Sequence, residues 1–198
     1  PGGPRPAGRG RVAALRPAGL PIPVAVGSRD DLLALGLPER RVAVVPNACG
    51  LDPARAELRC RAQPAERSSG RPVLALGLHR RGGLDQALAA WRQDPHLPTL
   101  WLAGRDQGAV RTSAWQRQVA DDPALRGRIR FLGPVWGRSR EQLLDEVALW
   151  LCLYPADEDS INRLCPLQVA DAAGSGLPLV ASDLPSIRRQ LKGQRAEL

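Results

Sequence analysis

The stretch PADEDSINRLCPLQVADAAGSGLPLVASDLPSIRRQL, residues 155–191, decides how the rest of the chain is interpreted. It leaves an apolar segment through an acidic loop, enters a short predicted helix that opens at Pro166, and turns through Gly-Leu-Pro into another apolar strand. Proline suits the first turn of a helix, because the N–H group that it lacks would have no partner there. A helix that starts just past the carboxyl end of a strand is a common phosphate site, since its free N–H groups and its dipole point there.

The spacing within this predicted helix indicates a ligand with two recognised parts. Asp171 follows Leu167 by four residues, which places it on about the same helix face and roughly 6 Å further along the axis. One ligand could then meet the helix start with its phosphates and the carboxylate with a sugar hydroxyl. The stretch therefore predicts a nucleotide site.

The segment from Pro166 to Leu191 resembles the nucleotide-sugar signature of retaining glycosyltransferases with the GT-B fold, particularly family 4, also called group 1. In that family a helix similar to Pro-Leu-Lys-Leu-Phe-Glu-Tyr leads into Gly-x-Pro-Val-Val-Ala-Ser/Thr-Asp. Counting back from Pro178, Asp171 stands where the family has the glutamate that holds the donor ribose. The resemblance implies that Pro166, Leu167 and Gln168 bind the donor, with the helix amides near Leu167 meeting its diphosphate.

Two departures from the family pattern concern the donor. Asp171 is one methylene shorter than the usual glutamate, and Arg163 stands where many members have a first glutamate that touches the sugar. Arg163 is therefore a candidate catalytic residue that contacts a phosphate or an acidic sugar. The alternative is that it pairs with the carboxylates of Asp157, Glu158 and Asp159.

The turn GLHRRGG, residues 77–83, matches the family's basic turn, whose cation neutralises the donor diphosphate. Arg81 followed by Gly82 is the closest match, and Arg80 lies beside them. A guanidinium can bind phosphate oxygens through two hydrogen bonds. The alternative is a solvated basic turn.

The segment FLGPV, residues 131–135, resembles the family's Phe-Leu-Gly-x-Val, after which the backbone meets the nucleobase. Val135 and Trp136 would make that contact here, and Gly133 would permit a close approach. Further upstream, VVPNACGLD is a looser version of the Val-Ile-Pro-Asn-Gly-Val-Asp segment that opens the family's donor domain.

Predicted strands and helices alternate along the chain, which favours an α/β fold with a doubly wound parallel sheet, the Rossmann-like half of a GT-B fold. The predicted strands are residues 23–28, 42–45, 73–76, the segment ending at 103–104, 129–132, the apolar run 147–155 and 179–181. The predicted helices are residues 29–35 capped by Ser28 and ended by Gly36, one containing Leu84, Ala87, Leu88 and Trp91, then 110–120, 140–147 capped by Ser139, the helix from 166, and 185–191. Residues 52–70 are predicted to form a loop.

The resemblance covers residues 24–191 and implies half of a two-domain enzyme. Residues 1–21, rich in Gly, Pro, Arg and Ala, are predicted to be disordered or a linker, and residues 22–198 to form the donor-binding domain. The acceptor domain, which precedes it in the family, is absent from this sequence. The implied reaction transfers a hexose-like sugar from a nucleoside-diphosphate sugar to a hydroxyl of a glycan or lipid-linked acceptor, with retention and without a metal or cofactor. This half alone would turn over little or nothing.

The composition leaves two alternatives of other classes. A formal charge of +8 suggests a nucleic-acid-binding protein, but Lys192 is the single lysine and one Phe and one Tyr leave little for base stacking. We therefore expect no nucleic-acid partner. The departures at Arg163 and Asp171 also allow a non-catalytic nucleotide- or sugar-binding module.

Cysteine usage and hydropathy bear on location. Cys49, Cys60, Cys152 and Cys165 show no metal-ligand spacing and no dense disulfide pattern. No apolar run reaches the length of a membrane span. These features predict a cytoplasmic protein, or one attached peripherally at the inner face of the membrane.

Overall fold

The structure is a computed structural model that describes residue 23 and residues 26–62, 70–77, 83–104, 109–157, 161 and 164–192. Within these residues the strands are β1 Val73–Leu76, β2 Leu100–Ala103, β3 Ile129–Gly133, β4 Leu149–Cys152 and β5 Leu179–Ala181. The helices are α1 Val26–Ala34, α2 Pro53–Arg61, α3 Leu84–Gln93, α4 Ala109–Asp121, α5 Gly137–Glu146, α6 Leu167–Ala173 and α7 Pro185–Leu191, with a short 3-10 helix at Glu39–Arg41.

The strands form one parallel sheet in the order β3-β2-β1-β4-β5. Val73 of β1 is in register with Leu100 of β2 on one side and Leu149 of β4 on the other. The chain therefore reverses its direction of growth between β1 and β4. In sheets of this kind ligands bind beyond the carboxyl ends of the strands at that reversal. The predicted α/β fold with a doubly wound parallel sheet is confirmed.

Alternate residues of each strand face opposite sides of the sheet, and helices cover both sides. Leu74 and Trp150 pack with residues of α5, α6 and α7, whereas Val73 and Leu100 pack with α3 and α4 on the other side. A strand that is covered on both faces needs an uninterrupted apolar sequence. This explains the run LWLC in β4, as predicted.

From β1 onward the predicted elements agree with the structure to within a few residues. The buried residues of α3 are Leu84, Ala87, Leu88 and Trp91, the set predicted from helical spacing. At the start of α5 the prediction was wrong. Its N-cap is Trp136, and Ser139 lies inside the first turn, where its hydroxyl donates to the Trp136 carbonyl at 2.8 Å. Pro166 is likewise the N-cap of α6, and the helix proper begins at Leu167.

The predicted strand at residues 23–28 was wrong over its described part. α1 already begins at Val26, so Ser28 lies within the helix and does not cap it. Residues 24–25 lie outside the described residues. The apolar run is too short for periodicity to separate a strand from a helix. The stop at Gly36 is confirmed, because Gly36 follows the helix with a φ of 86°.

The predicted strand at residues 42–45 was also wrong. Val42 is buried and Ala43 is exposed, which is the alternation of an extended segment, but no ladder forms within the described residues. The N–H of Val45 instead donates to the carbonyl of Pro23 at 3.1 Å. Pro46 follows at once and has no N–H group to continue a ladder.

Residues 53–61 form helix α2, where the sequence predicted a loop. The Asp52 carboxylate caps it by accepting from the N–H of Ala54 at 2.9 Å, and Pro53 occupies the first turn. An acidic N-cap followed by proline is a helix-start signal that the charged composition concealed. Residues 63–69 lie outside the described residues, as do the predicted linker residues 1–21. Nowhere in the described part of the chain is a helix both long and apolar enough to span a bilayer.

Candidate functional site

Hydrogen bonds among three elements hold the segment after β4 against α6. The hydroxyl of Tyr154, two residues past β4, donates to Oε1 of Gln168 at 2.6 Å. The N–H of Tyr154 donates to Oγ of Ser182 at 2.8 Å, and that hydroxyl donates back to the Tyr154 carbonyl at 3.0 Å. The start of α6 is therefore fixed beside the carboxyl ends of β4 and β5.

Helix α6 begins at the exposed end of this arrangement. Pro166 is its N-cap and the side chain of Leu167 is 59% exposed. The first N–H groups of a helix have no partner within the helix itself, and the positive end of its dipole lies beside them. The predicted phosphate-binding residues Pro166, Leu167 and Gln168 thus lie at the edge where a parallel sheet binds ligands. The side chain of Gln168 is already bonded to Tyr154.

Asp171 is 8% exposed and is held on both of its carboxylate oxygens. Oδ1 accepts from the backbone N–H of Gly50 at 2.8 Å. Oδ2 accepts from Nη1 of Arg140 at 2.8 Å. Leu167 and Asp171 share a helix side, as predicted, but Leu167 is open whereas Asp171 is covered.

The cover over Asp171 comes from residues 46–52, which we call the 46–52 loop. Nδ2 of Asn47 donates to the Cys165 carbonyl at 2.5 Å, and the N–H of Asn47 donates to Cys165 Sγ at 3.5 Å. Cys49 packs on Gly174 so closely that a Cβ at Gly174 would lie 2.5 Å from its sulfur. Burial raises the pKa of the Cys49 thiol, and the Asp171 carboxylate adds to this. The loop is thus bonded to the approach to α6 and packed on its end.

The carboxylate of Asp171 keeps part of its hydrogen-bonding capacity. A carboxylate has about four acceptor positions on its two oxygens; Gly50 and Arg140 use two of them, and the Cys49 thiol also lies within reach of the carboxylate. A position that remains could accept from a ligand hydroxyl. The geometry is therefore compatible with recognition of a diol by Asp171.

Trp136 and Val135, the predicted nucleobase contacts, follow the carboxyl end of β3. Val135 is half-buried against the side of the sheet that α5, α6 and α7 cover. Trp136 is 64% exposed, unlike the buried Trp91, Trp115 and Trp150. Gly133 has a φ of 72°, a conformation that favours glycine. An exposed tryptophan at this edge offers a flat apolar surface to a ligand.

Several predicted residues lie outside the described residues, namely Arg80, Arg81, Gly82 and Arg163. The residues that flank the basic turn are described. The N–H of Gly77 donates to the Ala103 carbonyl at 2.8 Å, and Gly83 packs against Leu153 just past β4. Gly77 and Gly83, which flank the basic turn in sequence, therefore lie near the carboxyl edge of the sheet.

Sequence reasoning missed Arg140 and Gly50, which contact Asp171 directly. Nη2 of Arg140 also donates to the Gly50 carbonyl at 3.3 Å, so the three residues form a closed set of contacts. Nothing local marks them, because they lie 31 and 121 residues from Asp171 along the chain. The position of Arg140 in the first turn of α5 was the only available signal.

A separate polar cleft of about 500 Å³ lies between α2 and α5. Its lining residues are Asp52, Arg55, Arg138, Glu141 and Gln142, none of which belongs to the predicted site. Its carboxylates are occupied within the protein. Asp52 caps α2, and Glu141 accepts from the Asp52 N–H and from Arg59. The cleft therefore has fewer carboxylate oxygens free to bind a ligand than its lining residues suggest.

No family model matches this chain, and no curated protein matches it by sequence. Solved structures do. HepE from Anabaena in complex with UDP-glucose is 19% identical with a TM-score of 0.65, covering 91% of this chain and 50% of that one. The lipopolysaccharide outer core galactosyltransferase WaaB is 18% identical with a TM-score of 0.59, covering 88% of this chain and 46% of that one.

AviGT4, a glycosyltransferase involved in avilamycin A biosynthesis, is 20% identical with a TM-score of 0.54, covering 88% of this chain and 54% of that one. This chain therefore spans about half the length of the structures it matches. WaaB and AviGT4 are glycosyltransferases by name, and this chain has the Rossmann-like fold that matches half of a GT-B structure. At such identities the likeness establishes the fold.

Proposed function

We propose that this chain is the donor-binding half of a glycosyltransferase that moves a sugar from a nucleoside-diphosphate sugar to a hydroxyl acceptor with retention of configuration. The observation that carries the proposal is the place of Asp171. Its carboxylate lies on α6 behind the helix start, at the ligand-binding edge of the sheet, and retains acceptor positions for a diol. The fold shared with HepE, a protein solved with UDP-glucose, adds support.

In this proposal each part of the site has one role. The first N–H groups of α6, near Leu167, and the guanidinium of Arg81 stabilise the negative charge that develops on the departing diphosphate. Asp171 accepts hydrogen bonds from the ribose hydroxyls, and Val135 and Trp136 meet the base. Arg163 contacts the sugar or its phosphate. This electrostatic stabilisation needs neither a metal nor a further cofactor.

The remaining parts of the proposal concern the rest of the enzyme. The chain covers about half of its structural neighbours, so an acceptor-binding half would complete the cleft. We propose a hexosyl donor, a glycan or lipid-linked acceptor, and a cytoplasmic location or peripheral attachment at the inner face of the membrane. The single half would bind donor weakly and turn over little.

Calorimetric titration with UDP, GDP and ADP tests the proposal. We expect one of them to bind, and Asp171→Asn to weaken that binding, because the amide presents N–H donors in place of one acceptor oxygen. An unrelated single-stranded oligonucleotide is the matched negative ligand. Absence of binding at millimolar nucleotide, with the acceptor half also restored, would refute the proposal.

One observation favours a second candidate function, a nucleotide- or sugar-binding module without catalysis. The Asp171 carboxylate is covered and paired with Arg140, and Arg163 stands where the resembled family has its first glutamate, which fits a site that holds a nucleotide without acting on its sugar. Assaying hydrolysis of the sugar donor distinguishes the two candidates. A catalytic half joined to its acceptor domain releases free sugar slowly, and a binding module releases none above the uncatalysed rate.

A further inference from the structure

Arg140 joins the carboxylate of the proposed ribose site to the 46–52 loop. Nη1 donates to Oδ2 of Asp171 at 2.8 Å, and Nη2 donates to the Gly50 carbonyl at 3.3 Å. The Gly50 N–H donates to the other oxygen of Asp171, also at 2.8 Å. One guanidinium and one peptide unit thus enclose the carboxylate from the side away from α6.

These contacts fix the plane of the carboxylate. An isolated aspartate rotates about its terminal torsion over a broad range. Here Oδ1 accepts from the Gly50 N–H and Oδ2 accepts from Arg140, and a charge-assisted bond from a guanidinium is stronger than a neutral one. The acceptor positions that remain on Asp171 therefore point in set directions. A cis-diol needs two acceptors in such a fixed relation.

Arg59 is another arginine that has several hydrogen-bond partners near α5, but its role differs from that of Arg140. Arg59 is 4% exposed and donates to Asp145 and Glu141 of α5 and to the carbonyl of Ser175 after α6, none of which belongs to the proposed site. The Arg140 side chain is 24% exposed and its carboxylate partner is Asp171. Its Nε is buried and has no hydrogen-bond partner among the described residues. A purely structural arginine at that depth would be expected to use that donor as well.

We infer that Arg140 is a positioning residue for donor binding, which holds the Asp171 carboxylate in the orientation that receives the ribose diol. This inference rests on the proposed function and adds a residue to it. Arg140 acts through Asp171 and does not touch the nucleotide. It also supplies the charge that balances a carboxylate largely withdrawn from water.

The test compares one nucleotide with its analogue that lacks both ribose hydroxyls. The tightest of UDP, GDP and ADP and its 2′,3′-dideoxy form are titrated into the protein, Arg140→Met and Arg140→Lys. We expect Arg140→Met to weaken the nucleotide about tenfold, the effect of misaligning hydrogen bonds to a charged group. The dideoxy form should be unaffected, and lysine should restore part of the loss. Arg138→Met, on the same helix with the same change of charge, is the matched control and should leave both ligands unchanged.

A double-variant cycle separates positioning from a general effect on folding. In an Asp171→Ala background, Arg140→Met should cause no further loss of nucleotide affinity, because the group on which it acts is gone. Urea midpoints are measured in parallel. If Arg140→Met alone does not fold, nucleotide affinity is compared in Arg140→Lys and in the double variant. The double variant leaves no buried charge unpaired.

Each outcome decides the inference. The inference is supported if Arg140→Met loses affinity for the nucleotide and not for its dideoxy form, and if this loss is absent in the Asp171→Ala background. An equal loss of affinity for both ligands overturns it. Tighter binding by Arg140→Met also overturns it, because the ion pair would then compete with the nucleotide for Asp171. Binding by the wild-type protein with an unchanged Arg140→Met overturns this inference alone. No nucleotide binding by the wild-type protein removes the proposed function and this inference together.

Discussion

The Nε of Arg59 on α2 lies 2.8 Å from Oδ1 of Asp145 in the last turn of α5. The same guanidinium donates to the Ser175 carbonyl at 3.1 Å and to Oε2 of Glu141 at 2.5 Å. An arginine this deeply buried is tolerated only because its charge and its donors are matched. These hydrogen bonds hold α2 against α5 and against the turn that follows α6.

Replacing Arg59 should therefore destabilise the protein strongly. We expect Arg59→Met to lower the free energy of unfolding by about 3–5 kcal/mol, because the largely buried Glu141 carboxylate loses its counter-charge. Arg61→Met, which breaks only the exposed pair with Glu57 on the same helix, should cost about 0.5 kcal/mol or less. Urea unfolding of both variants gives the comparison. Equal losses would contradict the framework role of Arg59.

Gly176 should tolerate no side chain, whereas Gly127 should tolerate one at moderate cost. Both have left-handed backbones, with φ of 78° and 77°. A Cβ at Gly176 would lie 2.1 Å from the Ala56 carbonyl oxygen, and one at Gly127 would meet nothing within 4 Å. Gly127→Ala should thus cost about 1–2 kcal/mol from the backbone conformation alone. Gly176→Ala should cost clearly more, since α2 must move away. Thermal unfolding midpoints that fall equally would show that this contact does not matter.

Trp136 should report nucleotide binding. Its exposure at the carboxyl edge of the sheet predicts that a bound base changes its fluorescence, while the buried Trp91, Trp115 and Trp150 stay unaffected. Trp136→Phe should abolish the change in emission on addition of nucleotide with little loss of stability. Trp101→Phe, on β2 beside Arg130, is the control and should retain the change. A signal that survives in Trp136→Phe would place the base elsewhere.

Alkaline pH should destabilise the fold through groups beside α6. Burial raises the pKa of the Cys152 thiol from 9.0 to about 12, and burial with the neighbouring Cys152 raises the pKa of Tyr154 above its usual 10. Between pH 9 and 12 the unfolded chain loses a thiol proton that the native protein keeps. The free energy of unfolding therefore falls as pH rises, by about 1.4 kcal/mol per pH unit for each such group.

Urea midpoints at pH 8 and pH 10 check this expectation. Cys152→Ala should show a smaller difference between the two pH values, because one titrating group is removed. Cys60→Ala, at an exposed position on α2, should retain the full difference. A pH effect that is identical in the wild-type protein and Cys152→Ala would contradict the assignment.

The fold from β1 onward was predictable because its signals are short-range. The spacing of Leu84, Leu88 and Trp91 and the unbroken apolar run of β4 leave few alternatives, and Gly and Pro mark the turns. Upstream of β1 the signals compete. Residues 42–45 have the composition of a strand but no neighbouring strand in the described chain, and the polar composition of residues 53–61 hid a helix whose stability comes largely from Arg59.

The candidate site was predictable only in part, for the same physical reason. The position of Asp171 follows from local spacing and from a resemblance. Its partners do not, because Gly50 and Arg140 reach it through the tertiary fold. The burial of Asp171 depends on the 46–52 loop, which no pattern within residues 155–191 reveals.

The contacts of Gly50 and Arg59 also decide where this unit can be cut. A polypeptide that began at Gly70 would retain every residue of β1 to β5, yet it would strip Asp171, Glu141 and Asp145 of their upstream donors. Expression boundaries drawn from the strands alone would therefore leave Glu141 and Asp145 without Arg59, and Asp171 with Arg140 but without the Gly50 N–H. We therefore expect a stable version of the described unit to start before Pro46, so that it retains the 46–52 loop that covers Asp171.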